Sequence, residues 1–159
     1  MTNNDVLRHV SYTFELNDQV MSHIFSLADF VVLDEQVSCW LKNEEEPSFV
    51  DLSDRELALF LNGFINFKRG KRDGEAPRAE DKISNNIVFQ KLRIALNLRA
   101  EDILEILQLA DFCLSKHELS AFFRKPDNKH YRECKDQVLK SFLLGLESQL
   151  HQRGDKSET

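Results

Sequence analysis

The chain has 159 residues, 42% of them hydrophobic and 30% charged, with only five Gly and three Pro. That composition describes a helix-rich globular protein and excludes a fibre or a disordered chain. The formal charge of −6 is unevenly spread: residues 3–66 hold 3 Lys/Arg against 12 Asp/Glu, residues 67–84 hold 6 against 4, and residues 85–151 hold 10 against 9, which disfavours a polyanion-binding face shared by both halves.

The chain starts with a polar segment, Met1 to Leu7, which lacks the basic and apolar regions of a secretory signal. No stretch approaches the roughly 18 consecutive apolar residues of a membrane span, so a cytoplasmic protein is expected. The first predicted helix runs from Asp5 to about Phe14, with Val6, Leu7, Val10 and Phe14 on one side and Asn4 at the N-cap position. The second, about Asp18 to Ala28, buries Val20, Met21, Ile24, Phe25 and Ala28. A short third helix covers about Asp34 to Lys42. Ser53-Asp54-Arg55-Glu56 has the spacing of a capping box and opens a fourth helix, which carries Leu57, Phe60, Leu61, Phe64 and Ile65 and ends near Gly70.

The same four-helix pattern then returns. Shifted by 82 residues, positions 3–64 align with 85–146 without a gap, and the identical pairs include Asn3/Asn85, Asn4/Asn86, Ile24/Ile106, Asp54/Asp136, Phe60/Phe142 and Gly63/Gly145. Leu-Ala-Asp-Phe and Phe-Leu-x-Gly occur in both copies, which makes chance a poor explanation. Asn86 repeats the expected cap. Ser115-Lys116-His117-Glu118 is a capping box for the copied third helix, and the copied fourth runs from about Asp136 to His151. The fold class expected is all-α: two tandem copies of a small four-helix unit, packed as a pseudo-symmetric pair. Residues 1–68 form the first repeat, 69–82 a charged, solvated linker, 83–151 the second repeat and 152–159 a disordered tail.

Each copy serves as an internal control for candidate sites in the other. Cys39, Cys113 and Cys134 align with Ala121, Val31 and Leu52, apolar side chains in every case, so all three thiols read as buried and inert. His9, His23, His117 and His130 align with Lys91, Glu105, Glu35 and Ser48, as solvated surface residues would. Neither a metal-ligand spacing nor a Gly-rich phosphate loop is present, so no catalytic residue, metal or cofactor is expected. Asp29 and Asp111 close the second helix of each copy and are expected to accept backbone hydrogen bonds at the following turn. Gly63 and Gly145 sit inside a helix, where Gly costs about 1 kcal/mol relative to Ala; they point to close approach by a neighbouring helix or by the twin helix across a pseudo-two-fold axis. The basic cluster Lys68, Arg69, Lys71 and Arg72 surrounds a helix C-terminus, where cations suit the dipole. Its sharper reading is an anion or nucleic-acid contact, extended by Arg124 and Lys125.

These residues also carry a family resemblance. Asn3-Asn4-Asp5-Val6-Leu7-Arg8, Phe60-Leu61-Asn62-Gly63, Lys68 to Gly74, Lys91-Leu92-Arg93-Ile94-Ala95-Leu96, Leu109-Ala110-Asp111-Phe112 and Tyr131-Arg132-Glu133-Cys134 resemble the YehS-like family of uncharacterised bacterial proteins, in which a domain of unknown function occurs in tandem. The resemblance covers about residues 3–150. It implies a bacterial, cytosolic origin and a tandem helical fold, and it implies no reaction.

Two functions compete. The first is a non-enzymatic module that binds a protein partner. The alternative is nucleic-acid binding through the basic linker and a helix-turn-helix-like outline made by the second and third helices, with Ser38 and Lys42, or Ser120, Arg124 and Lys125, on the recognition helix. Glu44-Glu45-Glu46 after the third helix of the first copy would repel phosphate.

Overall fold

A computed structural model describes residues 1–71, 73–74 and 77–157, with side chains followed to residue 152. The described residues form eight α-helices and no strand. The first copy holds α1 (Asn3–Thr13), α2 (Asp18–Ser26), α3 (Asp34–Leu41) and α4 (Asp54–Arg69), and the second holds α5 (Asn85–Ala95), α6 (Ala100–Leu109), α7 (Lys116–Ala121) and α8 (Asp136–Ser157). The chain divides into two units: Met1–Ile83 together with Ile94–Leu96, and the remainder from Ser84 onward. In the first unit α2 packs on α3 and α4, and α1 on α3 and α4; in the second, α6 packs on α7 and α8.

The repeat is a repeat of the core. Val6/Val88, Ile24/Ile106, Val37/Leu119, Leu57/Leu139, Phe60/Phe142 and Leu61/Leu143 are buried at matching positions. Where the copies differ, size is redistributed: Leu7 and Phe25 in the first unit become Phe89 and Leu107 in the second, all four fully buried. Phe60 accordingly packs against Phe25 of α2, with ring centroids 5.3 Å apart, whereas Phe142 packs against Phe89 of α5 at 4.7 Å. The large ring is supplied by a different helix at similar total volume, the kind of exchange that cores tolerate best.

The start of α1 differs from the sequence expectation. Its N-cap is Thr2, whose hydroxyl accepts from the Asp5 N–H at 3.1 Å while the Asp5 carboxylate accepts from the Thr2 N–H at 2.8 Å. In α5 the hydroxyl of Ser84 accepts from the Ile87 N–H. Asn4 and Asn86 are therefore not caps. They lie inside the first turn, only 2% and 7% exposed. The Asn4 amide nitrogen donates to the carbonyls of Trp40 and Val50, both at 2.9 Å, and its oxygen accepts from the Leu52 N–H at 3.0 Å. Asn86 does the same to Phe122 (3.1 Å), Arg132 (2.8 Å) and the Cys134 N–H (2.9 Å). Asn3 donates to the Leu52 carbonyl and to Asp54, and Asn85 to the Cys134 carbonyl and to Asp136. The identical polar residues thus form one clamp, built twice, that ties the first helix of each unit to the end of the third helix and to the irregular segment before the fourth. An asparagine suits the buried position because it carries both donors and acceptors without charge.

The glycines are explained within each unit. A Cβ built on Gly63 would overlap the carbonyl oxygen of Ile24 and lie 2.9 Å from its carbonyl carbon; on Gly145 it would overlap the Ile106 oxygen and lie 2.8 Å from that carbon. The fourth helix therefore lies with its backbone against the second helix of its own unit, an approach that only glycine permits.

Asp29 and Asp111 also differ from expectation. Both have left-handed backbones, φ 59° and 58°. The N–H of Asp29 bonds to the Ser26 carbonyl and that of Phe30 to Phe25; Asp111 to Gln108 and Phe112 to Leu107 repeat the pair. This is a Schellman turn, and Phe30 completes it by packing on Phe25 at 5.9 Å. The acid is present because Asp enters the left-handed region more readily than most residues. The Asp29 carboxylate pairs with the ammonium of Lys71 at 3.2 Å, in place of the backbone donors expected.

Two boundaries move. α8 continues to Ser157, beyond the expected end at His151 and into the expected tail. The connection after α4 is not solvated throughout. Ala79 is buried, and the Ile83 N–H donates to Asp54 at 3.1 Å.

Candidate functional site

The basic cluster at the end of α4 is largely occupied by the protein itself. Gly70, at φ 85°, ends the helix and leaves Lys68 and Arg69 in its last turn. The Lys68 ammonium lies over the Phe14 ring, 4.9 Å from its centroid. Arg69 donates to the Ile94 carbonyl at 3.2 Å, and Lys71 pairs with Asp29. Arg72 lies outside the described residues. Arg124 and Lys125, the expected extension of this cluster, belong to the second unit. They follow α7 and do not lie on it as a recognition helix would require, and both are exposed.

The cysteines separate into three environments, so the expectation of three buried thiols holds for Cys134 alone. Cys134 is 2% exposed, and burial pushes its thiol up to about 12. Cys39 is half-buried and Cys113 exposed. In the native protein Cys113 is expected to react with an aromatic disulfide reagent within minutes, whereas Cys134 reacts only after denaturant is added; equal rates at both would contradict this burial pattern. Among the described residues there is no group of three or more His, Cys, Asp or Glu side chains that could hold a metal, and no helix long and apolar enough to cross a membrane.

Cys113 departs from expectation because its twin, Val31, is itself out in solvent. Val31 is 88% and Leu33 65% exposed, whereas Val32 between them is buried at 9%. After the Schellman turn the chain is extended into α3, so alternate side chains point outward. The alternation is present in the sequence, but the segment is too short to separate it from a run of core residues.

Val31 and Leu33 belong to a surface whose counterpart in the second unit has the same backbone and different side chains. The segment after α3 turns through Glu46 N–H to Asn43 O and Phe49 N–H to Glu46 O and returns to that helix through Val50 N–H to Cys39 O. Arg132 to Ala121, Tyr131 to Asn128 and Asn128 to Lys125 repeat all three. Residues 33–53 hold six Asp/Glu and one Lys, whereas residues 115–135 hold six Lys/Arg and three Asp/Glu. Asp34, Glu35, Glu44, Glu45 and Glu46 are exposed on the first surface, as are Lys116, His117, Arg124, Lys125 and Lys129 on the second. The same folded segment is thus acidic and exposed in one unit and basic and exposed in the other.

No solved structure matches this chain. The chain is 44% identical over 153 residues, 95% of its length and 97% of the relative's, to the "Uncharacterized protein YehS" of Escherichia coli (strain K12). A family described as "Protein of unknown function (DUF1456)" matches it twice, over residues 3–70 and 85–154, so that each four-helix unit is one copy of the family's domain. The chain therefore belongs to this family of tandem helical proteins of unknown function.

Proposed function

We propose that the chain is a non-enzymatic protein-interaction module of the bacterial cytoplasm. The observation that carries this reading is the exposed apolar side chains on either side of α3, Val31 at 88% and Leu33 at 65% before it and Val50 at 49% after it, in a stretch that also exposes Asp34, Glu35 and Glu44 to Glu46. Exposed apolar side chains in a charged stretch suit a protein surface, where a few anchors supply most of the binding energy. The shared polar residues support the same reading, because the clamp and the two glycines have a structural role in both copies. What remains to distinguish the units is their surfaces.

Nucleic-acid binding is favoured by one feature, the exposed Arg124, Lys125, Lys129 and Arg132 of the second unit. It is weakened by Asp34 and Glu35 in the first turn of α3, where a recognition helix reads bases. Capture of partners from a bacterial lysate, with and without nuclease, tests both readings when the Val31→Ser/Leu33→Ser double variant is run beside the unaltered protein. A protein captured despite nuclease and lost with the double variant is the expected result. Capture abolished by nuclease, or indifferent to the double variant, would overturn it.

A further inference from the structure

We infer that this protein binds a second copy of itself, the acidic α3 face of one molecule meeting the basic α7 face of another. The inference rests on the interaction-module reading and supplies its partner.

Charge complementarity is the basis. The two faces are the same piece of fold, held by the same three backbone hydrogen bonds and the same asparagine clamp, yet residues 33–53 carry a net −5 and residues 115–135 a net +3. Against a chain whose formal charge is −6, the basic face is a local reversal of sign. Neither face is neutralised at home. On the basic side Lys116 pairs with Glu101, Arg132 with Glu118 and Lys135 with Glu133, but Arg124, Lys125 and Lys129 make no ion pair among the described residues. On the acidic side Glu35, Glu44 and Glu45 make none among them either. Both sets remain exposed in the folded chain.

Like faces would repel, so a two-fold contact of acidic face on acidic face is excluded by the same charges. Each joint must place unlike faces together, either reciprocally in a closed pair or head to tail in a chain. Exposed Leu33, next in the chain to Asp34 and Glu35, would be shielded from water at such a joint, adding apolar contact to the charged one. The contact is electrostatically steered and screened by salt.

Sedimentation velocity on the purified, nuclease-treated protein tests this, read at about 0.01 M and about 1 M salt, where the Debye length falls from about 30 Å to about 3 Å. Association at low salt that disappears at high salt is expected. Arg124→Glu/Lys125→Glu and Glu44→Lys/Glu45→Lys should each weaken it at least tenfold. The two variants mixed together should associate again, because the first keeps the unaltered acidic face, net −5, and the second the unaltered basic face, net +3. All four positions are exposed, so the fold should be unaffected, which circular dichroism checks. A monomer at low salt, or association unmoved by salt and by both variants, or a mixture that stays monomeric, would overturn the inference. None of these results touches the interaction-module reading, which falls if capture from the lysate is abolished by nuclease or is indifferent to the Val31→Ser/Leu33→Ser double variant.

Discussion

Gly63→Ala will destabilise the first unit by about 2–3 kcal/mol, although alanine in an ordinary helix interior would gain about 1 kcal/mol over glycine. The added methyl must occupy the space of the Ile24 carbonyl oxygen. That atom belongs to the backbone of α2 and cannot turn aside as a side-chain end could. The two helices have to separate, and overpacking of this kind costs about 1–3 kcal/mol even before the neighbouring side chains loosen. Gly63→Leu should cost more. Gly145→Ala should do the same to the second unit, where Ile106 stands in for Ile24. Urea denaturation followed by circular dichroism measures both, and a midpoint unchanged from that of the unaltered chain would show that the helices do not meet this closely.

Asn4→Leu should be as damaging for the opposite reason, since it keeps the volume and removes the polarity. Leucine leaves the Trp40 and Val50 carbonyls and the Leu52 N–H without the partner they have at 2.9–3.0 Å. An unsatisfied buried group costs about 1–3 kcal/mol, so the loss of three partners should reach about 3–5 kcal/mol, allowing for water that enters to meet some of them. Asn86→Leu strands Phe122, Arg132 and Cys134 in the same way. Asn3→Ala, at a half-buried position, should cost only about 1 kcal/mol. A chain in which Asn4→Leu and Asn3→Ala lose equal stability would contradict the clamp.

Most of the architecture is legible in the sequence because it is written twice. The helical period, the capping boxes at Ser53 and Ser115 and the Gly70 stop all agree with the structure, since each is a local signal that depends on neighbours within one turn. The differences fall where a residue's role depends on distant chain. Asn4 offers a cap on local grounds, yet Thr2 takes that role and leaves Asn4 to bind segments 36 to 48 residues away. An acid at Asp29 is unusual for the end of α2, but nothing in its neighbours announces the left-handed φ. The glycines indicate close approach from sequence alone, and the structure supplies the partner.

The candidate site is less legible. The basic cluster stands out by composition, but Lys68, Arg69 and Lys71 are engaged by Phe14, Ile94 and Asp29. The charge reversal between matching faces is present in the sequence, and it acquires meaning only when the repeated backbone hydrogen bonds show the two faces to be one scaffold. Pairing residues across the repeat identifies what both units need for folding. It misleads for Val31 and Cys113, because two small apolar side chains in matching exposed positions resemble a core pair.

Amide hydrogen exchange at Leu52 and Cys134 most directly tests the claim that one asparagine clamp holds both units. Neither residue lies in a helix, and each donates its N–H to a buried asparagine oxygen, at 3.0 and 2.9 Å. Both amides should exchange as slowly as the core amides of Phe60 and Phe142, while those of Asp51 and Glu133 beside them exchange freely. Fast exchange at Leu52 and Cys134, like that of their neighbours, would contradict the clamp in both units at once.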